Sequence, residues 1–457
     1  MRCCIERLAL LPLLVTVLVS CEKPPAPPPA PKDLRIHLTC DVSGRIEPCG
    51  CFEGQGGGLS RVKSVFAAEK LESLRVDAGD AITGAEDYQV IHYRHVRRAF
   101  AESGFHALNL GKREAALSAE TLRSLIADSP VPMLSANVAD AATQQPLARP
   151  WLHVQAGGVT YGVIGIVDPR SVGETKLGAG LTLLDPASVI SQHLPALKKG
   201  ADVLVLLAFA DEATMQALAA RFFEFAVILG GDVRQPSQDL MKANRSYIFA
   251  TTNQSRALGL FEARLTARGT LEGAKQEILT MHELIPENKT ILQHAQDYRD
   301  EVRAAKLAID DPLRVRKDAV PGVRMQSAFR GSESCAACHA AEYAIWQRSG
   351  HARAFEALKL RDSDADPNCI GCHTVGFGAE SGYQRAFQGK QLANVGCESC
   401  HGAGGRHVDE RLKGNDAITF HFRKLSASDC TKCHHGEFSR PFEWDDFWPP
   451  VAHQKRK

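Results

Sequence analysis

Between residues 335 and 434 one five-residue pattern occurs four times: Cys335-Ala-Ala-Cys338-His339, Cys369-Ile-Gly-Cys372-His373, Cys397-Glu-Ser-Cys400-His401 and Cys430-Thr-Lys-Cys433-His434. Two thiols at this spacing can each add to a vinyl group of one porphyrin, and the residue that follows can swing its imidazole beneath the ring to the iron. One turn of chain then supplies both the covalent tether and the proximal ligand. The four matches use every cysteine after residue 334, which a chance pattern would not do. Zinc and iron–sulfur sites are also built from Cys-x-x-Cys pairs, but neither needs a histidine after every second cysteine. Thioredoxin-like redox pairs need a βαβ context that these segments lack. The expected cofactor is therefore four covalently bound haem c, with His339, His373, His401 and His434 as proximal ligands.

The same segment holds five further histidines: His351, His407, His421, His435 and His453. A second axial imidazole makes a haem six-coordinate and suited to moving electrons, whereas an open position permits ligand chemistry. His435 directly follows His434, so it cannot cap the opposite face of the same haem, though it could reach another. His421 lies between Phe420 and Phe422 and could equally be packed in the core.

The remaining cysteines call for other chemistry. Residues 1–20 carry Arg2 and Arg7 ahead of an apolar run too short to span a bilayer comfortably, the pattern of an export signal. Its end, Leu18-Val19-Ser20-Cys21, looks like a bacterial lipobox, so that cleavage would leave Cys21 as an acylated anchor in the membrane. A proline-rich stretch follows through residue 32 and reads as a stiff spacer. The protein is thus expected outside the cytoplasm, at the periplasmic face of the outer or inner membrane. In that compartment Cys40, Cys49 and Cys51 could be a disulfide plus one free thiol, a soft-metal site, or a redox partner for the haems. Cys49 and Cys51 are too close to pair with each other without strain, so a disulfide would use Cys40. The formal charge of +1 gives no net field that would draw the chain to nucleic acid.

Two kinds of chain carry these groups. Residues 33–284 alternate short aliphatic runs, at 34–38, 74–76, 161–167, 203–207 and 225–229, with stretches of helical spacing such as 59–71 and 118–126. Runs with so little alternation read as strands buried on both faces, hence an α/β layered domain. It closes with a hairpin, 258–265 and 274–280, joined through Gly269-Thr270. Residues 285–330 are polar and read as a connector with one helix over 288–307. Residues 331–457 have few aliphatics and many aromatics, so a small, mainly α domain with haem as its interior is expected there.

Two resemblances refine this reading. The arrangement of Gly331-Ser-x-x-Cys-x-x-Cys-His, Trp346 with Ser349-Gly350-His351, Cys369-x-x-Cys-His-x-x-Gly-Phe, Val395-Gly-Cys-Glu-Ser-Cys-His-Gly-x-Gly with His407, and a final Cys-x-x-Cys-His resembles the tetrahaem cytochrome c domain typified by the electron acceptor of hydroxylamine oxidoreductase. That resemblance covers residues 331–457. It implies His351, His407 and His453 as distal ligands, with one haem left five-coordinate; the candidates in the sequence to fill that position are His421 and His435. The expected function is electron transfer between redox proteins, or alternatively a redox enzyme acting on a small nitrogen or sulfur compound at the open haem.

The N-terminal domain resembles the two-metal phosphoesterases of the nucleotidase type through Asp41-Val-Ser43-Gly44, Asp77-Ala-Gly-Asp80, Gly111-Lys-Arg-Glu114, residues 206–210 and Gly230-Gly-Asp-Val-Arg234. Of the ligands that resemblance implies, Asp41 and Asp80 are kept. Ser43, Lys112, Phe209, Asp232 and Arg234 stand where the family has His or Asn, and Arg113 replaces the catalytic imidazole. Phe209 cannot ligate, and fixed cations repel a metal. Lys112, Arg113 or Arg234 is expected to pair with Asp41 and Asp80 in place of ions, and phosphoesterase activity is not expected. The nucleotidases' C-terminal substrate domain is absent, with the cytochrome in its place.

Overall fold

A computed structural model describes residues 30–48, 56–173, 176–252, 254–305, 327–379, 381–383, 390–417, 425–435 and 439–453. Its strands are β1 (Lys32–Thr39), β2 (Leu74–Asp77), β3 (Ala107–Asn109), β4 (Met133–Leu134), β5 (Val138–Asp140), β6 (Trp151–Ala156) and β7 (Val159–Val167). They continue as β8 (Leu181–Leu183), β9 (Val203–Phe209), β10 (Val227–Gly230), β11 (Met241–Ala243), β12 (Ser246–Ala250), β13 (Ala257–Leu265) and β14 (Leu271–Thr280). The helices of this region are α1 (Leu59–Ala68), α2 (Asp87–Glu102), α3 (Ala119–Ala127), α4 (Pro169–Val172), α5 (Pro186–Lys198), α6 (Glu212–Arg221) and α7 (Lys289–Ala305).

Two six-stranded sheets form, in the orders β14-β13-β1-β2-β3-β4 and β11-β12-β10-β9-β7-β6. Strands β1 to β4 run parallel in the first, as do β7, β9, β10 and β12 in the second. The period of two along a strand explains why the aliphatic runs are continuous. Val163, Val205, Leu207, Val227 and Leu229 join the main core with residues of the first sheet, while Ile164, Ile166, Leu204, Leu206 and Ile228 pack with α5 and α6 residues such as Ile190 and Met215. The result is an α/β/β/α sandwich, which agrees with the α/β layering read from the sequence pattern and with the resemblance to phosphoesterases. The expected hairpin is β13–β14, with Leu265 opposite Leu271.

Helix α7 lies where the sequence suggests a polar connector, but it buries Ile291, Ala295, Tyr298 and Val302. These positions recur every three or four residues and lie along α2 and α1. Helix α7 is therefore part of the N-terminal body as well as its link to the C-terminal region.

The C-terminal region consists of short helices: α8 (Glu333–Ala336), α9 (Ala340–Arg348), α10 (Ala354–Lys359), α11 (Pro367–His373), α12 (Cys397–His401), α13 (Gly405–Leu412), α14 (Ala427–Cys430) and α15 (Trp444–Phe447). Its own aliphatic and aromatic core is small, a cluster of Phe355, Leu358, Ile370, Val375, Tyr383 and Leu392. The second Cys-x-x-Cys-His motif, on α11, packs into it through Cys369 and Ile370. Among the described residues no helix is long and apolar enough to cross a membrane.

Candidate functional site

Each motif is held by local helical geometry. The His339 amide donates to the Cys335 carbonyl and the His434 amide to the Cys430 carbonyl, each at 2.9 Å, so one turn brings the imidazole under its thiols. Glu398, inside the third motif, is buried and accepts the amides of Arg330, Gly331 and Gly404 at 2.9, 2.8 and 2.7 Å. That carboxylate ties the segment ahead of the first motif to the turn after the third. Trp346 Nε1 donates to the Val395 carbonyl at 2.8 Å, fixing a second strut between them.

Three of the motif histidines face a partner ring. The centroids of His339 and His407 are 6.3 Å apart, those of His351 and His434 6.0 Å, and those of His401 and His453 5.8 Å. A metal with an imidazole nitrogen about 2.0–2.1 Å away on each side, and ring centres roughly 1.1 Å further out, places two axial rings about 6 Å apart. Three pairs at this spacing, each built on a motif histidine, fit a shared ion. Tautomers agree with this: the Val451 carbonyl lies 3.0 Å from His453 Nδ1 and the Ala354 carbonyl 2.6 Å from His373 Nδ1. A carbonyl can only accept, so Nδ1 carries the proton in both and Nε2 keeps its lone pair for a metal.

A cavity of about 420 Å³ is lined by the cysteines and histidines of the first and third motifs together with His351, His407 and His453. The Cys335 and Cys397 thiols are in hydrogen-bonding contact, as are those of Cys372 and Cys433. The first motif therefore abuts the third, and the second abuts the fourth. These residues fit haem c: thiols for attachment, paired imidazoles at axial spacing, and a cavity between them. Among the described residues no imidazole faces His373 at such a distance. His435 is exposed, and His421 lies outside the described residues, as does Cys21.

The second candidate site sits at the carboxyl ends of the parallel strands, where α/β folds place their ligands. Asp41 follows β1, Asp80 follows β2, and Lys112 and Arg113 follow β3. Arg113 Nη2 donates to Asp41 Oδ1 at 2.7 Å, its Nε is 3.6 Å from Asp80 Oδ2, and its amide donates to Asp80 Oδ1 at 2.8 Å. It also donates to Ser43 Oγ, which itself donates to Asp41 Oδ1 at 2.7 Å. Lys112 Nζ bonds Asp232 Oδ1 at 3.0 Å and lies 5.7 Å from the centre of the Phe209 ring. Arg234 is exposed and makes no ion pair among the described residues, so of the expected cations Arg113 is the one that meets Asp41 and Asp80. A guanidinium occupies the place between two carboxylates that a metal would need.

The backbone here keeps a demanding shape. Asp41, Ser43 and Asp80 have φ of 51°, 49° and 62°, the left-handed region that non-glycine residues rarely adopt. A Cβ on Gly111 would lie 2.3 Å from the Asp80 amide nitrogen, so only glycine permits that approach. Sequence reasoning did not single out the group that holds these loops. Buried Glu114 accepts the amides of Asp80, Ile82 and Gly111 at 3.1, 2.9 and 2.9 Å. Its signal was its place at the end of the Gly111-Lys-Arg-Glu114 match. Burial, with the Glu114 charge adding to it, pushes the Asp80 carboxyl up to about 7 against the pull of Arg113. Burial acts to lower the Arg113 pKa, but Asp80 and Asp41 outweigh it and the group is held above its ordinary value.

Cys40 is a free, buried thiol that donates to the Gly79 carbonyl at 3.3 Å. The disulfide expected through Cys40 is not formed, because the side chain points into the core, where a Cβ on Gly231 would come within 1.8 Å of its sulfur. Burial, then Asp77, pushes the thiol well above its ordinary value, which makes it unreactive. Cys49 and Cys51 lie outside the described residues.

Comparison with known proteins divides along the same line. Residues 334–402 match the family model of cytochrome c554 and c-prime. Cytochrome c-554 of Nitrosomonas europaea is 33% identical over 119 residues, covering 23% of this chain and 51% of that protein. The 2',3'-cyclic-nucleotide 2'-phosphodiesterase/3'-nucleotidase of Salmonella typhimurium is 27% identical over 202 residues, covering 38% of this chain and 31% of that protein. Among solved structures, the 5'-nucleotidase precursor from Thermus thermophilus superposes with a TM-score of 0.52 at 24% identity, over 60% of this chain and 59% of that one. The chain thus spans about half of the cytochrome and a third of the nucleotidase that it matches. It joins a metallophosphoesterase-like α/β fold to a C-terminal segment similar to cytochrome c554, which supports a multihaem c-type cytochrome role with covalently bound haem c.

Proposed function

We propose that the protein is an exported, lipid-anchored tetrahaem cytochrome that passes electrons between redox proteins at the periplasmic face of a membrane. The observation that carries this reading is the set of three imidazole pairs at 5.8–6.3 Å, each joining one motif histidine to one histidine from elsewhere in the segment. Haem c bound there supplies one-electron chemistry. The chain's own part is to fix both axial ligands, so that little has to rearrange when charge moves, and to hold the motifs close enough for transfer between them. The contacts of the first motif with the third, and of the second with the fourth, support such adjacency. The N-terminal domain then serves as a non-hydrolytic body, its metal space filled by Arg113. Cys21 would carry the lipid.

His373 favours a second reading, a redox enzyme with one open coordination position, since no described imidazole faces it. Electron paramagnetic resonance of the oxidised full-length protein, with carbon monoxide binding to the reduced form, separates the two. Three low-spin haems and one high-spin, carbon-monoxide-reactive haem are expected, and His407→Ala should add a second high-spin signal. Four low-spin haems that become three in His421→Ala would remove the open-site enzyme and leave a pure electron carrier. A haem count of two or fewer after competent cytochrome c maturation would overturn the reading altogether.

A further inference from the structure

Helices α2 and α7 run antiparallel and meet through two histidine–carboxylate contacts. His95 Nε2 lies 2.9 Å from Glu301 Oε2, and His294 Nε2 lies 2.8 Å from Glu102 Oε2. Both contacts use the same ring nitrogen, and both leave the other nitrogen idle. The Nδ1 atoms of His95 and His294 are buried and have no hydrogen-bond partner. Buried polar atoms are nearly always satisfied, so two such atoms on facing helices call for an explanation. One ligand atom from each of His95, His294 and Asp297 lies within 4.8 Å of the others. Asp297 follows His294 by three residues and so shares its face of α7, and Gln293 Nε2 donates to Asp297 Oδ1 at 2.9 Å, which orients the carboxylate.

We propose that His95 Nδ1, His294 Nδ1 and an Asp297 carboxylate oxygen form a binding site for a divalent transition-metal ion, with zinc as its occupant. Imidazole donors select zinc and its neighbours over calcium and magnesium, which take oxygen ligands. The carboxylate behind each imidazole is the arrangement that fixes the tautomer and raises ligand basicity in metal sites: Glu301 and Glu102 hold the proton of each ring on Nε2 and leave Nδ1 as the donor. Burial keeps His95 below its ordinary pKa, opposed by Glu301, which favours the neutral ring that a ligand needs. His95 is 2% exposed and Asp297 is on the solvent side, so the ion has an anchored inner face and a way in. Three protein ligands and a water complete a tetrahedron. The site is separate from the haem motifs and from Asp41 and Asp80, and its role is structural. It staples α7 to α2, and α7 in turn carries the contacts to the C-terminal segment, from Tyr298 Oη to Asp366 Oδ1 at 3.1 Å and from Arg303 to Asp364 Oδ1 at 3.1 Å.

The test uses full-length, haem-loaded protein, stripped with a chelator and titrated with zinc chloride alone. Elemental analysis should find one zinc per chain after dialysis, and the melting temperature of the α/β body should rise with zinc. Asp297→Asn and His294→Gln should each weaken zinc binding by more than tenfold, and Glu102→Gln by about 10–100-fold through loss of the supporting carboxylate. Asp297 is exposed and asparagine keeps its volume, so haem absorbance and circular dichroism should confirm an intact fold. No retained zinc, or zinc bound equally well by Asp297→Asn and His294→Gln, would overturn the proposal.

Discussion

Arg113 shows how one side chain can serve two carboxylates. It bonds Asp41 directly and reaches Asp80 from the same position, within a backbone held in the left-handed region at Asp41, Ser43 and Asp80. Arg113→Ala would leave two carboxylates facing each other without a counter-charge, and a loss of about 2–4 kcal/mol is expected for such a partly buried pair. Asp80→Asn in the same chain should recover part of that loss, measured as a double-mutant cycle by chemical denaturation. The sign of the pH dependence follows from the Asp80 carboxyl, raised from 3.8 to about 7 by burial first. Between those values the folded chain holds a proton that the unfolded chain has released, so stability falls as pH rises from about 4 to about 7. Asp80→Asn should flatten that slope; an unchanged slope would place its origin in another group.

At the scale of elements, α7 looks like a linker in sequence and behaves as a structural strut. Its buried face, Ile291, Ala295, Tyr298 and Val302, is only four residues in a charged helix, a stripe easily taken for solvent-exposed chain. What gives it a partner is α2, where His92 stacks on Tyr298 with centroids 4.2 Å apart. Burial, then the charges of Arg45, His95 and Arg299, lowers the His92 pKa from 6.5 to about 3. The folded chain then refuses a proton that the unfolded chain takes up below about 6.5, so this contribution is complete above that pH and is lost as pH falls towards 3. Acidification from pH 7 to 5 should speed hydrogen exchange of the α7 amides, after correction for intrinsic rates, by more than it does elsewhere in the α/β body. His92→Gln, neutral at every pH, should remove the difference.

For the whole molecule, α7 makes polar contacts with both parts. Tyr298 Oη donates to Asp366, Arg303 donates to the Asp362 carbonyl at 3.0 Å and pairs with Asp364, and Arg299 pairs with Glu47 at 2.9 Å. Asp366 opens α11, the helix that carries the second motif, so this contact positions a haem-attachment segment against the N-terminal body. Tyr298→Phe keeps the ring on His92 and deletes only the hydroxyl, at an expected cost of about 1 kcal/mol. Combined with Arg303→Ala, it should separate the melting of the haem segment, followed in the Soret band, from that of the α/β body, followed by far-ultraviolet circular dichroism. Coincident transitions in the double variant would show that other contacts carry the coupling.

Whatever depends on short spacing was legible in the chain before it folded. Each Cys-x-x-Cys-His motif is complete within five residues, and strands β1, β2, β7, β9 and β10 announce themselves by short aliphatic runs. Tertiary structure alone decided the rest, because the partners are far apart along the chain. His407 meets His339 and His351 meets His434 only after α9, α13 and α14 have packed. Arg113 reaches Asp41 across 72 residues, and Lys112 reaches Asp232 across 120. Three cations were equal candidates in sequence, and the geometry of the strand ends chose among them. The cluster of His95, His294 and Asp297 was invisible for the same reason: a histidine on α2 and another on α7 carry no signal until antiparallel packing brings their rings and Asp297 together.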